Sequence, residues 1–165
     1  MTNQPSLEEQ VSVLLRQNGL YLTIAESCTG GLIADRITDV PGCSDYFLGG
    51  MVSYSNESKL AWLGVQAQTL QQHGAVSRAC VLEMARGIRH TLQQDFCPHK
   101  VIGLAVSGIA GPSGGTAQKP VGTVWIAVNM EGKQKAQQHI FSGSRREIKA
   151  QSAQAALTLL LKTMQ

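Results

Sequence analysis

The spacing of apolar positions along this chain switches repeatedly between a helical period and a strand period, and each switch falls at a turn signal. Leu7–Asn18 is predicted as the first helix: Ser6 and Glu9 form a capping box, and Gly19 supplies the left-handed stop. Tyr21–Ala25 is β-prone and apolar, a short buried strand. Leu32, Ile33 and Ile37 then recur at helical spacing, so a second helix is expected from near Thr29, ended by Pro41-Gly42. Tyr46–Ser53 reads as a strand, and Leu60 and Trp62 sit on a short helix that Lys59 begins. Val81, Met84, Ala85, Ile88 and Leu92 share one face of a helix starting near Ser77. Val101–Val106 is a continuous apolar run, expected as a strand covered on both faces. A Gly- and Pro-rich loop, Ser107–Pro120, separates it from a strand over Val121–Val128, which Glu131-Gly132 turns into another ending near Phe141. Ser144 and Glu147 make a second capping box, opening a helix that buries Ile148, Ser152, Ala156, Leu159 and Leu160. Strands alternating with helices predict an α/β fold, a three-layer α/β/α sandwich; the hairpin makes its sheet mixed and mainly parallel.

Composition narrows the function classes. A chain of 165 residues is expected to form a single domain over 1–165, and 43% hydrophobic content excludes disorder. Seventeen glycines against 5% aromatics let the backbone approach a ligand closely. A net charge of +3, with no basic block and no interleaved stacking aromatics, fits a small anionic ligand and predicts no nucleic-acid partner. Cys28, Cys43, Cys80 and Cys97 form no CxxC pair and no zinc spacing, so reduced thiols in a cytoplasmic protein are expected. Met1-Thr2-Asn3-Gln4-Pro5 is polar, with no apolar signal segment, and Ala155–Leu161 is too short to span a bilayer, so no membrane association is expected.

Four places could carry chemistry. Ser27 sits where a strand passes into a helix, and Gly30 and Gly31 follow. Backbone N–H groups at such a junction can hold an oxyanion; equally, Ser27 can simply cap the helix. A serine needs a base. His73, His90, His99 and His139 stand in no triad-like motif, which leaves Lys59 as the candidate, beside Tyr54 and Asn56, or else as an ordinary surface lysine. The loop Gly108-Ile109-Ala110-Gly111 is neither a dinucleotide fingerprint nor a Walker A loop, but its N–H groups suit a phosphate or ribose; a plain connecting loop is the other reading. Arg145 and Arg146 open the last helix, either for phosphate or as a solvated basic turn.

Four runs together, Ala25-Glu26-Ser27-Cys28-Thr29-Gly30-Gly31, Val52-Ser53-Tyr54-Ser55-Asn56-Glu57-Ser58-Lys59, Ser107-Gly108-Ile109-Ala110-Gly111-Pro112 and Lys119-Pro120-Val121-Gly122-Thr123-Val124, closely resemble the CinA C-terminal domain family, the nicotinamide-nucleotide amidohydrolases. The resemblance extends from about Leu7 to Leu161. It implies hydrolysis of nicotinamide mononucleotide to nicotinate mononucleotide and ammonia, with no metal and no cofactor. It also implies a homo-oligomer, dimer or larger, of α/β/α domains in the stand-alone form. Ser27 matches the nucleophile and Lys59 the general base; Tyr54 and Ser44 match residues lining the substrate site. Gly108, Ile109, Ala110, Gly111 and Arg145 carry over as substrate contacts, with Thr29, Gly30, Gly31 and Asn56 beside them. The alternative is a catalytically silent pyridine-nucleotide-binding module on the same scaffold.

Overall fold

Five strands form one sheet in the order β2-β1-β3-β4-β5: β1 (Tyr21–Glu26), β2 (Phe47–Val52), β3 (Val101–Gly108), β4 (Thr123–Met130) and β5 (Lys133–Ile140). The structure is a computed structural model and describes residues 4–93 and 96–165; Met1, Thr2 and Asn3, the start of the polar N-terminal stretch, lie outside the described residues. β1 pairs in parallel with both β2 and β3, while β3–β4 and β4–β5 are antiparallel. Four of the five strands therefore run the same way, with β4 reversed.

Period-two alternation gives this sheet two unlike faces. Leu22, Ile24, Ile102, Leu104, Val106, Val124, Ile126 and Val128 meet α1 (Leu7–Asn18), α2 (Leu32–Thr38) and α6 (Arg145–Met164) in one core. Ala25, Ala105 and Ala127 meet α5 (Arg78–Gln93) in the other, with α3 (Asn56–Leu63) and α4 (Ala67–His73) outside it. Small residues let α5 come very close. A Cβ on Gly103 would stand 2.0 Å from the Ala85 carbonyl oxygen, and one on Gly87 1.8 Å from that of Leu63. Each fully buried Leu or Ile contributes about 1.5–3 kcal/mol, so the branched face supplies most of the apolar stabilisation.

Both capping boxes form, at Ser6–Glu9 and Ser144–Glu147. The strand over 101–106 continues to Gly108. The short helix α4, in a stretch marked in the sequence only by its flanking glycines, is an addition. Three boundaries need correction: α2 begins at Leu32, not near Thr29; α3 begins at Asn56, where Ser55 caps it, not at Lys59; and β4 runs over Thr123–Met130 instead of Val121–Val128. Among the described residues, no helix is long and apolar enough to cross a membrane.

Candidate active site

Ser27 follows β1 at the carboxyl end of the sheet, and its N–H donates to the Val106 carbonyl of β3 at 3.1 Å. That bond continues the ladder one residue past the strand and fixes the serine backbone. Gly30 and Gly31 then take φ of 63° and 101°, where a side chain would be strained. This is why Cys28–Gly31 is a turn and the helix waits until Leu32. Glu26 crosses the turn to cap that helix. Its Oε2 accepts from Gly31 N–H (3.0 Å) and Ile33 N–H (3.1 Å), and its Oε1 from Ala34 N–H (2.8 Å). The carboxylate is buried and sits at the positive end of α2, where it is electrostatically favoured.

Two consequences follow. The Ser27 hydroxyl is released from capping. The N-terminus of α2 is already occupied by a negative charge, so it is not open to a ligand anion. Of the backbone donors at this turn, Gly30 N–H is spent on Ser27 O (3.1 Å) and Gly31 N–H on Glu26. Those of Cys28 and Thr29 have no protein acceptor among the described residues. The capping role of Glu26 was not foreseen; its signal was an acid placed just ahead of a Gly-Gly turn and a helix.

Ser53 N–H donates to the Glu26 carbonyl at 2.8 Å, which lays the end of β2 against that of β1. The chain turns at Tyr54, and Ser55 caps α3 by accepting from Ser58 N–H. Lys59, one turn into α3, folds back into this corner. Its Nζ lies 2.7 Å from the Ser53 carbonyl oxygen, 3.1 Å from that of Tyr54 and 3.1 Å from Ser27 Oγ. Lys59 is 1% exposed and Ser27 7%. Among the described residues no carboxylate lies within 4 Å of the amine. Burial therefore holds the Lys59 pKa below its ordinary value of 10.5. A neutral amine has two N–H donors and one lone pair. The three oxygens suit an ammonium donating to all of them, and in the neutral form the two carbonyls would take the donors and leave the lone pair for the Ser27 hydroxyl. Burial also pushes the neighbouring Cys28 thiol up to about 12, so it stays protonated at neutral pH and does not compete as a nucleophile.

Further contacts join the other motifs to this corner. Arg145 Nη2 donates to the exposed Tyr54 hydroxyl at 2.7 Å, and Nη1 to the Gly111 carbonyl at 2.7 Å. Gly108 abuts the serine turn: a Cβ there would stand 3.1 Å from Cys28 Sγ and 3.0 Å from the Thr123 carbonyl oxygen. Ile109 is pinned to β4 by its N–H to Thr123 O (2.9 Å), and Ala110 is buried behind it. Asn56 is exposed at the first position of α3. Ser44 is not brought here. It is exposed in a 3-10 turn, Cys43–Asp45, that precedes β2, at the opposite end of the sheet. One residue went unnoticed in the sequence: Lys149 Nζ lies 3.6 Å from where a Gly30 Cβ would be. Its spacing of four from Arg145 on a helix was the available signal.

The model of the CinA C-terminal domain matches residues 4–164. A CinA-like protein of Thermotoga neapolitana is 47% identical over 160 residues, covering 97% of this chain and 38% of that protein. The chain thus spans 38% of the length of such curated relatives. The crystal structure of competence damage-inducible protein A from Klebsiella pneumoniae superposes with a TM-score of 0.87 at 38% identity, covering 96% of this chain and 94% of that one. That of the competence/damage inducible protein CihA from Agrobacterium tumefaciens gives 0.87 at 36% identity, with both chains fully covered at 100%.

Proposed function

This chain belongs to the CinA C-terminal domain family, and from that premise we propose that it is a serine amidohydrolase acting on the carboxamide of nicotinamide mononucleotide. The observation that carries the reaction class is the Lys59 amine, buried 3.1 Å from Ser27 Oγ with no carboxylate within 4 Å among the described residues. The substrate is the one implied by the resemblance of the four motifs.

The chemistry follows from the donor and acceptor inventory. Lys59 Nζ takes the Ser27 proton as Oγ attacks the carboxamide carbon. The developing oxyanion is met by the N–H groups of Cys28 and Thr29, each such donor being worth about 3–4 kcal/mol. The ammonium of Lys59 returns its proton to the leaving nitrogen, the C–N bond breaks and ammonia departs, leaving an acyl-serine. Water then attacks the ester carbon while Lys59 takes its proton. Collapse of the second intermediate releases the carboxylic acid, which loses its remaining proton to water, and the proton on Lys59 returns to Ser27. Throughout, the Ser53 and Tyr54 carbonyls keep the amine oriented, whether it is charged or neutral.

The test is ammonia release from nicotinamide mononucleotide by the wild type and by Ser27→Ala. The expected result is turnover by the wild type and a loss of about 10⁴-fold or more in the variant, with substrate still bound. Near-normal turnover in Ser27→Ala removes the mechanism. Binding by the wild type without any ammonia favours the silent nucleotide-binding module instead.

A further inference from the structure

Lys149 follows Arg145 by four residues on α6, so both side chains leave the same face of the helix. Its ammonium reaches the turn that carries Ser27, 3.6 Å from the position of a Gly30 Cβ. Arg145 spends its terminal nitrogens on Tyr54 and Gly111. Lys149 differs: among the described residues it donates no hydrogen bond and has no carboxylate within 4 Å. The nearby acids are committed elsewhere. Glu26 is bound to three N–H groups of α2, and Glu147 to the N-cap of α6. The corner beside the nucleophile therefore holds a half-buried cation with no ion-pair partner among the described residues.

We propose that Lys149 is the anion anchor of this site, holding the phosphate monoester of the substrate while the carboxamide lies at Ser27. The inference rests on the amidohydrolase reading and adds to it a residue that decides between a phosphorylated carboxamide and its dephosphorylated nucleoside. A phosphate is remote from the bond that breaks, so its binding energy orients the reacting carbonyl without taking part in the chemistry. An ammonium at the end of a long flexible stem suits this role as a point charge, and an arginine can replace it in charge.

The experiment compares nicotinamide mononucleotide with nicotinamide riboside in the wild type, Lys149→Met and Lys149→Arg. Ammonia release gives the ratio of kcat/KM for the two substrates. Calorimetry in the Ser27→Ala background gives the ratio of their Kd values. Lys149→Met is expected to lower the preference for the phosphorylated ligand by about 10- to 100-fold, carried mainly by KM, and Lys149→Arg to keep most of it. Ratios unchanged in Lys149→Met, or lost equally in Lys149→Arg, overturn the anchor. If the wild type releases no ammonia, the amidohydrolase reading fails, and the Kd ratios still judge Lys149. Failure of the phosphorylated ligand to bind overturns both.

Discussion

At the carboxyl end of β1, Lys59 lies 1% exposed against two carbonyls and one hydroxyl. Beside the amino end of β3, Arg89 lies 5% exposed. Its guanidinium donates to the carbonyls of Val101 (3.0 Å) and Pro98 (2.8 Å) and to Asn129 Oδ1 (3.2 Å), and pairs with the Glu131 carboxylate. Both groups are cations taken out of water, but they are treated in opposite ways. A guanidinium stays charged in a protein, so its burial requires fixed acceptors and a counter-charge. An amine can shed its proton, and the cheapest response to burial without a carboxylate is to do so. Arg89 thus ties α5 to the sheet and the β4–β5 hairpin. Lys59, with its pKa held down by burial, is the group the proposed mechanism uses as a base.

The largest effect expected from breaking this contrast is at Lys59. Lys59→Met should lower amide turnover by about 10⁴-fold or more, read as ammonia release, because the serine then has no proton acceptor. The same amine sets the pH dependence. Its pKa is lowered in the folded chain, so wild-type turnover should fall about tenfold per pH unit once the pH drops below that value. Between the lowered folded value and the ordinary 10.5, the unfolded chain binds one more proton than the folded chain, so stability rises with pH across that window. Denaturant titrations at several pH values should show that rise in the wild type, and Lys59→Met should lose it.

Arg89→Met should act on the other side of the contrast. It deprives four acceptors of a donor and should cost about 2–4 kcal/mol of folding stability, measured by denaturant unfolding, while the folded fraction retains its turnover. Turnover lost in proportion to Lys59→Met would show that the two ends are not separable. The smallest effect is expected at Glu131→Gln. That side chain is 57% exposed, so solvent screens the ion pair, and the change should stay under about 1 kcal/mol.

How far the sequence reached can be seen residue by residue. Ser6, Gly19, Ser144 and the Glu131-Gly132 turn announced their elements because caps and turns are decided within a few residues. Cys28–Gly31 misled by the same logic: apolar spacing pointed to a helix start near Thr29, and the positive φ of two adjacent glycines overrode it. The Glu26 cap was hidden because its bonds span five to eight residues across that turn. Ser44 lies away from Ser27 because β2 runs parallel to β1, so the segments preceding and following β2 stand at opposite ends of the sheet.

By itself the sequence determined most of the local elements, the family and the identity of the residues that could react. Only the tertiary structure decided which of them meet. It brings Lys59 to Ser27 across 32 positions and Arg145 to Tyr54 across 91, and it sets Lys149 beside Gly30. The physical reason is range: steric and capping rules act between neighbours in the chain. The proton affinity of an amine depends on how completely water is excluded around it, and that exclusion comes from the packed strands, helices and loops together.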